Sequence, residues 1–582
     1  MRGSSTLKYL KPFFKKYLKE TILAPLFKML EATFDLLVPL VVAKIINEGV
    51  GRQDTALIWK NCGLLVLMAL VGLLCSFTAQ YFAARAATGT ATGLRKMLFS
   101  HIQGLGFSEM DVIGESTLIT RMTSDINQVQ NGVNMFLRLF LRSPFIVLGA
   151  MVAAFTIDAK IALIFAVAIP VLSIIVFGVM KWTAPLYRKI QGRLDGVTGA
   201  ARENFSGVRV IRAFGKEERE LDRFEAANGA LVKLQLYTGK ISALMNSLTF
   251  VTVNLCIILI LWIGGRQVDG GLLLNGDVIA LVNLMSQILV ELVKLANLIV
   301  TLSRAMASAH RVGQILDTQT AMQFPEKGVS QPQGQEAVRF QNVCLSYAGA
   351  GDESLSHISF TALKGQTIGV IGGTGSGKSS LVQLIPRFYD ATSGQVQLLG
   401  HPIEQWDKQA LRSRVGVVPQ RAQLFKGTIR SNLLWGNEAA DDQALWQALE
   451  AAQAADFVRQ KPLQLDEIVE QGGRNLSGGQ RQRLTIARAL VKKPDILILD
   501  DSSSALDYAT DAALRKALRA LSGKTTLFIV SQRTSSLAHA QQIIVLEDGE
   551  MAGIGRHEEL LQSCQVYREI YESQFQKGGE EA

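Results

Sequence analysis

Charge and cysteine are both scarce in this chain. Charged residues make up 19% of its 582 positions and hydrophobic ones 48%, whereas a soluble domain carries about 25% charge. That excludes a wholly soluble protein, and the charge that remains excludes one lying wholly within a membrane. The five cysteines stand at 62, 75, 256, 344 and 564. No two are spaced as metal ligands and several lie in apolar runs, so they read as buried free thiols of a reducing compartment or a membrane. No signal peptide with a small-residue cleavage site is legible; the first apolar segment is long and runs on into more. The length implies more than one domain.

The formal net charge is +10, a value that can mark a nucleic-acid partner. Its distribution argues otherwise. Residues 1–336 carry 34 basic and 23 acidic groups, net +11, and residues 337–582 carry 26 and 27, net −1. The excess lies in the apolar half, as in the cytoplasmic loops of a membrane protein, and no nucleic-acid partner is expected.

Six apolar segments reach spanning length: 21–47, 59–86, 135–157, 159–182, 243–265 and 278–301. Short gaps at 48–58, 158 and 266–277 alternate with long, polar, helix-prone ones at 87–134 and 183–242. The first twenty residues hold six basic groups and one acid, and residues 183–240 hold 11 basic and seven acidic groups. The positive-inside rule therefore places both termini and the long loops in the cytoplasm. Residues 8–20 read as an amphipathic helix on the inner surface. Charges inside spans (Lys28, Glu31, Asp35, Lys44, Arg138, Arg142, Glu291 and Lys294) are costly at that depth. They mark either a polar substrate path, with Asn283, Met285 and Glu291 as candidates in the last span, or pairing between helices, or helices that extend beyond the membrane.

Residues 318–336 lack apolar periodicity and hold two prolines and two glycines, which predicts a solvated linker. The run VRFQNVCLSY then begins a strand pattern. The domains are expected at 1–317 (membrane), 318–336 (linker) and 337–582 (a second folded domain).

In the second half, a strand at Thr367–Ile371 leads into Gly372, Gly373, Thr374, Gly375, Ser376, Gly377, Lys378, Ser379 and Ser380. Gly372, Gly377, Lys378 and Ser379 match G-x-x-x-x-G-K-[ST]. Glycines let backbone N–H groups wrap phosphate oxygens, Lys378 meets the β/γ charge, and Ser379 can ligate Mg²⁺. The run DILILD, Asp495–Asp500, reads as a buried parallel strand ending in an acid, and Asp500 can hold the Mg²⁺ shell. Between them, Leu476, Ser477, Gly478, Gly479 and Gln480 open a second anion-binding helix terminus. One nucleotide has little use for two such cradles, but two copies facing each other do.

LSGGQ between a P-loop and DILILD resembles the signature of ATP-binding cassette (ABC) proteins. Tyr347 matches the family's adenine-stacking aromatic. Gln420 matches the glutamine that senses Mg²⁺ and contacts the membrane domain. Ser504, Ala505, Leu506 and Asp507 match the loop crossing the dimer interface. GESTLITRMTSD (114–125) and SGVRVIRAFGKEE (206–218) resemble cytoplasmic helices of ABC exporters. The resemblance implies an α-helical six-span transmembrane domain with long cytoplasmic coupling helices, fused to an α/β P-loop nucleotide-binding domain. It further implies a dimeric ATP-hydrolysing translocase using ATP and Mg²⁺, in a bacterial plasma membrane among its lipids.

Two positions depart from the family. Asp501 stands where active members have the Glu that orients the attacking water, and Gln532 stands at the switch histidine. A milder departure is Gln471, five residues before the signature leucine, where an acid is usual. With the P-loop and LSGGQ intact, the pattern resembles the degenerate half of a heterodimeric exporter. Such a chain binds ATP at a poorly hydrolytic site and lends its LSGGQ to a partner's competent one. The alternatives are a homodimer hydrolysing slowly through Asp501, an ATP-gated regulator or channel, and a soluble DNA-maintenance ATPase, which the six spans oppose. Drugs or lipids, amphipathic or hydrophobic, are the expected cargo. No peptidase domain precedes the spans, which disfavours export of processed peptides.

Overall fold

The computed structural model describes residues 4–325, 328–502, 506–520 and 523–575. The chain divides into two units, Met1–Gln103 with Ser116–Thr318, and Gly104–Glu115 with Gln319–Ala582.

The first unit is helical. Five helices among the described residues are long and apolar enough to cross a membrane: Thr55–Gly104, Glu115–Ile157, Ala159–Ser206, Glu217–Asp269 and Asn275–Asp317. Leu18–Lys44 is a 27-residue helix, but Lys28, Glu31 and Asp35 interrupt its apolar character. The expected span 135–157 is broken at Phe140–Leu141, where one helix ends at Leu139 and the next starts at Arg142. Helices of 43 to 53 residues rise about 65–80 Å at 1.5 Å per residue. That is more than twice the hydrocarbon thickness, so the long polar gaps extend the spanning helices.

The amphipathic N-terminal segment forms Ser4–Lys16. Phe13 and Tyr17 lie against Gly93 and Gly89, where any side chain would collide with their rings. Glycines four apart make one groove on a helix face, so part of the apolar face of this segment is taken up by protein.

Most of the intramembrane charges are paired, with Arg142 joining three helices. The Arg142 guanidinium donates to Glu291 at 2.6 Å and Asp35 at 2.8 Å. Ser143 and Lys294 donate to Glu291, each at 2.8 Å, and Lys28 donates to Glu31 at 2.5 Å and Ser76 at 3.2 Å. The side chain of Glu291 is only 4% exposed. Pairing between helices is therefore the reading the geometry bears out for Arg142, Glu291 and Asp35. Met285 is fully buried in the apolar core, leaving Asn283 as the exposed member of the three cavity candidates. Near the helix ends, Asn47 donates to Asp277 at 2.9 Å and accepts from the backbone of Gly276 at 2.6 Å. Four cysteines are buried and Cys62 half-buried, all unpaired.

The second unit is α/β. Strands β1 (Glu336–Leu345), β2 (Leu355–Leu363), β4 (Ser393–Leu398) and β5 (His401–Pro402) form an antiparallel sheet in the order β2-β1-β4-β5. The larger sheet runs β12-β11-β3-β10-β9-β6. It comprises β3 (Thr367–Gly372), β6 (Val415–Val418), β9 (Ile496–Asp500), β10 (Thr526–Val530), β11 (Gln542–Glu547) and β12 (Glu550–Gly555), parallel except for the β11–β12 hairpin. A short pair, β7 (Gly427–Thr428) and β8 (Ile468–Val469), completes the strands. Every residue of β9 is buried, as expected of a strand covered on both faces. One core packs Phe340, Phe360, Leu381, Leu384 and Phe528 between the two sheets. A second packs Leu433, Leu449, Leu484 and Ile486 in a helical layer beside β9.

Two segments differ from expectation. The stretch 318–336 is not a free tether: Val329 and Gln333 bond the backbones of Gln405 and Leu399 at 2.8 and 2.7 Å, and Phe324 lies under the Arg387 guanidinium. Gly104–Glu115, read as part of the membrane domain, packs with the second unit. Phe107 packs against Phe388 with the rings tilted by 33° and their centroids 4.6 Å apart, and Tyr389 donates to Asp111 at 2.5 Å.

Candidate nucleotide site

The parallel sheet gathers the chemistry. Strand order β3-β10-β9-β6 sets four carboxyl ends side by side, the edge where such sheets bind ligands. β3 leads into the glycine loop, β10 into Gln532, β9 into Asp500 and Asp501, and β6 into Gln420. Sequence separations of more than 100 residues are closed by strand register alone.

Gly377 caps the following helix, Lys378–Leu384, at φ 91°, a left-handed conformation that glycine adopts without strain. A Cβ there would meet the Ser354 carbonyl at 2.6 Å. The Lys378 ammonium turns back over the loop, donating to the carbonyls of Gly372, at 3.0 Å, and Gly373. Burial pulls its pKa down, and the carboxylates of Asp501 and Asp500 oppose that shift. Ser379 donates to Asp500 at 3.1 Å. Burial raises the pKa of Asp500; the Ser379 bond counteracts this, Asp501 adds to it, and Lys378 counteracts it. A buried carboxylate and a hydroxyl this close form an all-oxygen donor pair suited to a hard cation that keeps several waters, as Mg²⁺ does. The Gln420 amide donates to Asp501 at 3.4 Å, so Gln420 joins the group. Asp501 itself sits at φ 43°, a backbone that Asp tolerates better than longer side chains. At the other end, Tyr347 donates to Ser380 at 3.0 Å and meets Tyr389 edge-on at 5.1 Å, offering an aromatic surface beside the loop.

The signature segment stands apart. Ser477 caps the helix Gly478–Val491, accepting from Gln480 N–H at 3.2 Å while the Gln480 side chain accepts from Ser477 N–H at 3.1 Å. This reciprocal cap leaves the first-turn N–H groups pointing outward. Leu476 is buried beneath it, and Gln471 stands in a tight turn, Gln471–Gly473, just ahead. Among the described residues no hydrogen bond joins this cap to the glycine loop. Ser504 and Ala505 lie outside the described residues. Leu506 is buried, and Asp507 caps Tyr508–Arg519 by accepting from Thr510 at 2.7 Å.

Sequence reading missed two features here. The Gln574 side chain, on the helix Gln565–Phe575, bonds the loop that carries Gln532. The short helix Phe107–Ile113 supplies Phe107 and Asp111 to the wall containing Phe388 and Tyr389. Neither leaves a local pattern, because each contact joins residues far apart in the chain.

Comparison with known proteins agrees with this arrangement. Residues 21–292 match the family model for the ABC transporter transmembrane region, and 355–504 match the ABC transporter model. The chain is 36% identical to the ABC transporter ATP-binding protein YfiB of Bacillus subtilis, over 98% of this chain and 99% of that one. It is 31% identical to the ATP-dependent lipid A-core flippase of Hahella chejuensis, over 88% of each. Its fold matches the ATP-bound structure of a bacterial Atm1-family ABC exporter with a TM-score of 0.78, at 23% identity and covering 98% and 99% of the two chains. The helical membrane unit, the phosphate loop on β3 and the acids on β9 thus have one setting: the chain belongs to the ABC transporter family, with membrane and ATP-binding regions fused in one polypeptide of the exporter type.

Proposed function

We propose that this chain is one half of a heterodimeric ABC exporter of a bacterial plasma membrane. It binds MgATP at a weakly hydrolytic site of its own and completes a partner's hydrolytic site with Leu476–Gln480. The observation that carries the reading is the pair of side chains on adjacent strand ends. Asp501 follows β9, and Gln532 follows β10, on either side of the position where a γ-phosphate and attacking water are handled in this family.

The chemistry follows from the residues. Lys378 and the glycine-loop N–H groups bind and orient the phosphates; Ser379, Gln420 and Asp500 would hold Mg²⁺, which when bound would supply charge neutralisation at the transferring phosphoryl group. Tyr347 stacks on the adenine. Asp501 is one methylene shorter than Glu, which draws its carboxylate back from a water that must be aligned closely. Gln532 can hydrogen-bond a phosphate oxygen but carries no cationic charge. Binding is retained while hydrolysis weakens. ATP clasped between two half-sites stabilises only the closed dimer, and a ligand shifts an equilibrium only through such a difference.

The cargo class is amphipathic, drug-like or lipid-like. Support comes from the apolar spanning helices and from similarity to proteins named as lipid A-core flippases. The test is ATPase of the purified chain with and without its partner. Near-background turnover alone and vigorous turnover together support the proposal. Lys378→Ala should then reduce the joint rate far less than removal of the partner's base. A homodimer working through Asp501 would instead turn over by itself.

A further inference from the structure

The loop after β10 is held from outside the nucleotide site. Gln532 is exposed, while its neighbours Ser531 and Thr534 are 2% and 0% exposed. Ser531 N–H bonds the Val370 carbonyl at 3.1 Å, and its hydroxyl accepts from Arg533 N–H at 3.0 Å. Those contacts fix the base of the loop. The Gln574 side chain spans its tip: its amide N–H₂ donates to the Gln532 carbonyl at 2.7 Å, and its oxygen accepts from Thr534 N–H and Oγ1, each at 3.0 Å. One N–H donor, one hydroxyl donor and one carbonyl leave only one orientation in which the Gln574 amide satisfies all three. The Arg533 guanidinium between them lies over the Tyr508 ring at 5.3 Å, tying the same loop to the segment that follows Asp507.

We propose that Gln574 is a positioning residue for Gln532: the C-terminal helix Gln565–Phe575 sets the peptide from which the γ-phosphate-sensing side chain projects. The inference rests on the reading of Gln532 as the residue facing the γ-phosphate. Without the clamp, the Gln532 peptide can rotate, and the Gln532 amide no longer holds a fixed direction. The glycine loop and Tyr347, which meet the rest of the nucleotide, are untouched. The loss should therefore fall on ATP and spare ADP.

The experiment measures binding of fluorescent mant-ATP and mant-ADP, with Mg²⁺, to the full chain in lipid nanodiscs. Gln574→Ala should weaken mant-ATP about fivefold, the worth of one or two hydrogen bonds, leave mant-ADP unchanged and leave the melting temperature within a degree or two. Gln574→Glu keeps the acceptor for Thr534, loses the donor to Gln532, and should fall between. Ser573→Ala, beside it on the same helix, should do nothing. Gln532→Ala is measured in parallel, and combining it with Gln574→Ala should add no further loss. An unchanged ATP-to-ADP preference in Gln574→Ala overturns the inference. If Gln532→Ala loses that preference, the inference alone has failed; if it keeps the preference, the reading of Gln532 has failed too. Equal weakening of both nucleotides with a fall in melting temperature also overturns it, since that is a packing role.

Discussion

At the scale of single residues, the nucleotide site is set by what burial does to charge. Asp500 is 7% exposed, and its pKa is raised chiefly by burial. A carboxyl with a raised folded pKa contributes its full stability below the unfolded value and loses it as pH rises through the folded one. Ionised Asp500 thus burdens the empty cassette, and a bound divalent cation removes the burden. Mg²⁺ with ATP should therefore raise the melting temperature more above the folded pKa of Asp500 than below it, and Asp500→Asn should flatten that difference in thermal melts across pH. Gly377 makes a second residue-scale case: Gly377→Ala forces a Cβ into the Ser354 carbonyl at a left-handed φ, a strain of about 1–3 kcal/mol. ATP affinity should drop with it, measured by mant-ATP titration. Asp501→Glu with Gln532→His restores the usual base and switch. In a dimer that supplies LSGGQ opposite, this double change should raise hydrolysis at this chain's site at least tenfold, read by single-site ATPase in a partner whose own base is removed.

At the scale of elements, strand ends and helix faces explain what was legible beforehand. The glycine loop, DILILD and LSGGQ are local patterns in which residue type and spacing carry the chemistry, and they fell on β3, β9 and the helix Gly478–Val491. The spans were legible from apolar length, except where charge interrupts it. Arg142 follows a helix break at Phe140–Leu141 that apolar content does not reveal, because a break costs no hydropathy. Whether Glu291 lined a path or paired with a neighbour depended on Arg142, 149 positions away in sequence, and periodicity cannot report such a partner. The same holds for Phe107 with Phe388 and for Gln574 with Thr534. The ion network makes its own prediction. Arg142→Met strands Glu291 without its guanidinium, and breaking one side of a buried pair costs about 3–5 kcal/mol. The melting temperature in detergent should fall by several degrees, and adding Glu291→Gln should recover part of it.

At the scale of the whole molecule, the net +11 of residues 1–336 and net −1 of residues 337–582 fit a membrane protein whose basic groups hold loops to one side, with an ATPase that needs no polyanion. Among the described residues no hydrogen bond joins the signature cap to the glycine loop, as expected if its phosphate belongs to a second chain. On the proposed function, Asp501 and Gln532 make this chain the half that holds nucleotide more than it consumes it. The most direct measurement is steady-state ATPase of this chain, purified alone in lipid nanodiscs at saturating MgATP. The account predicts turnover near background, rising steeply when a partner bearing Glu and His at the two corresponding positions is added. Robust turnover by the chain alone, abolished by Lys378→Ala, would contradict it.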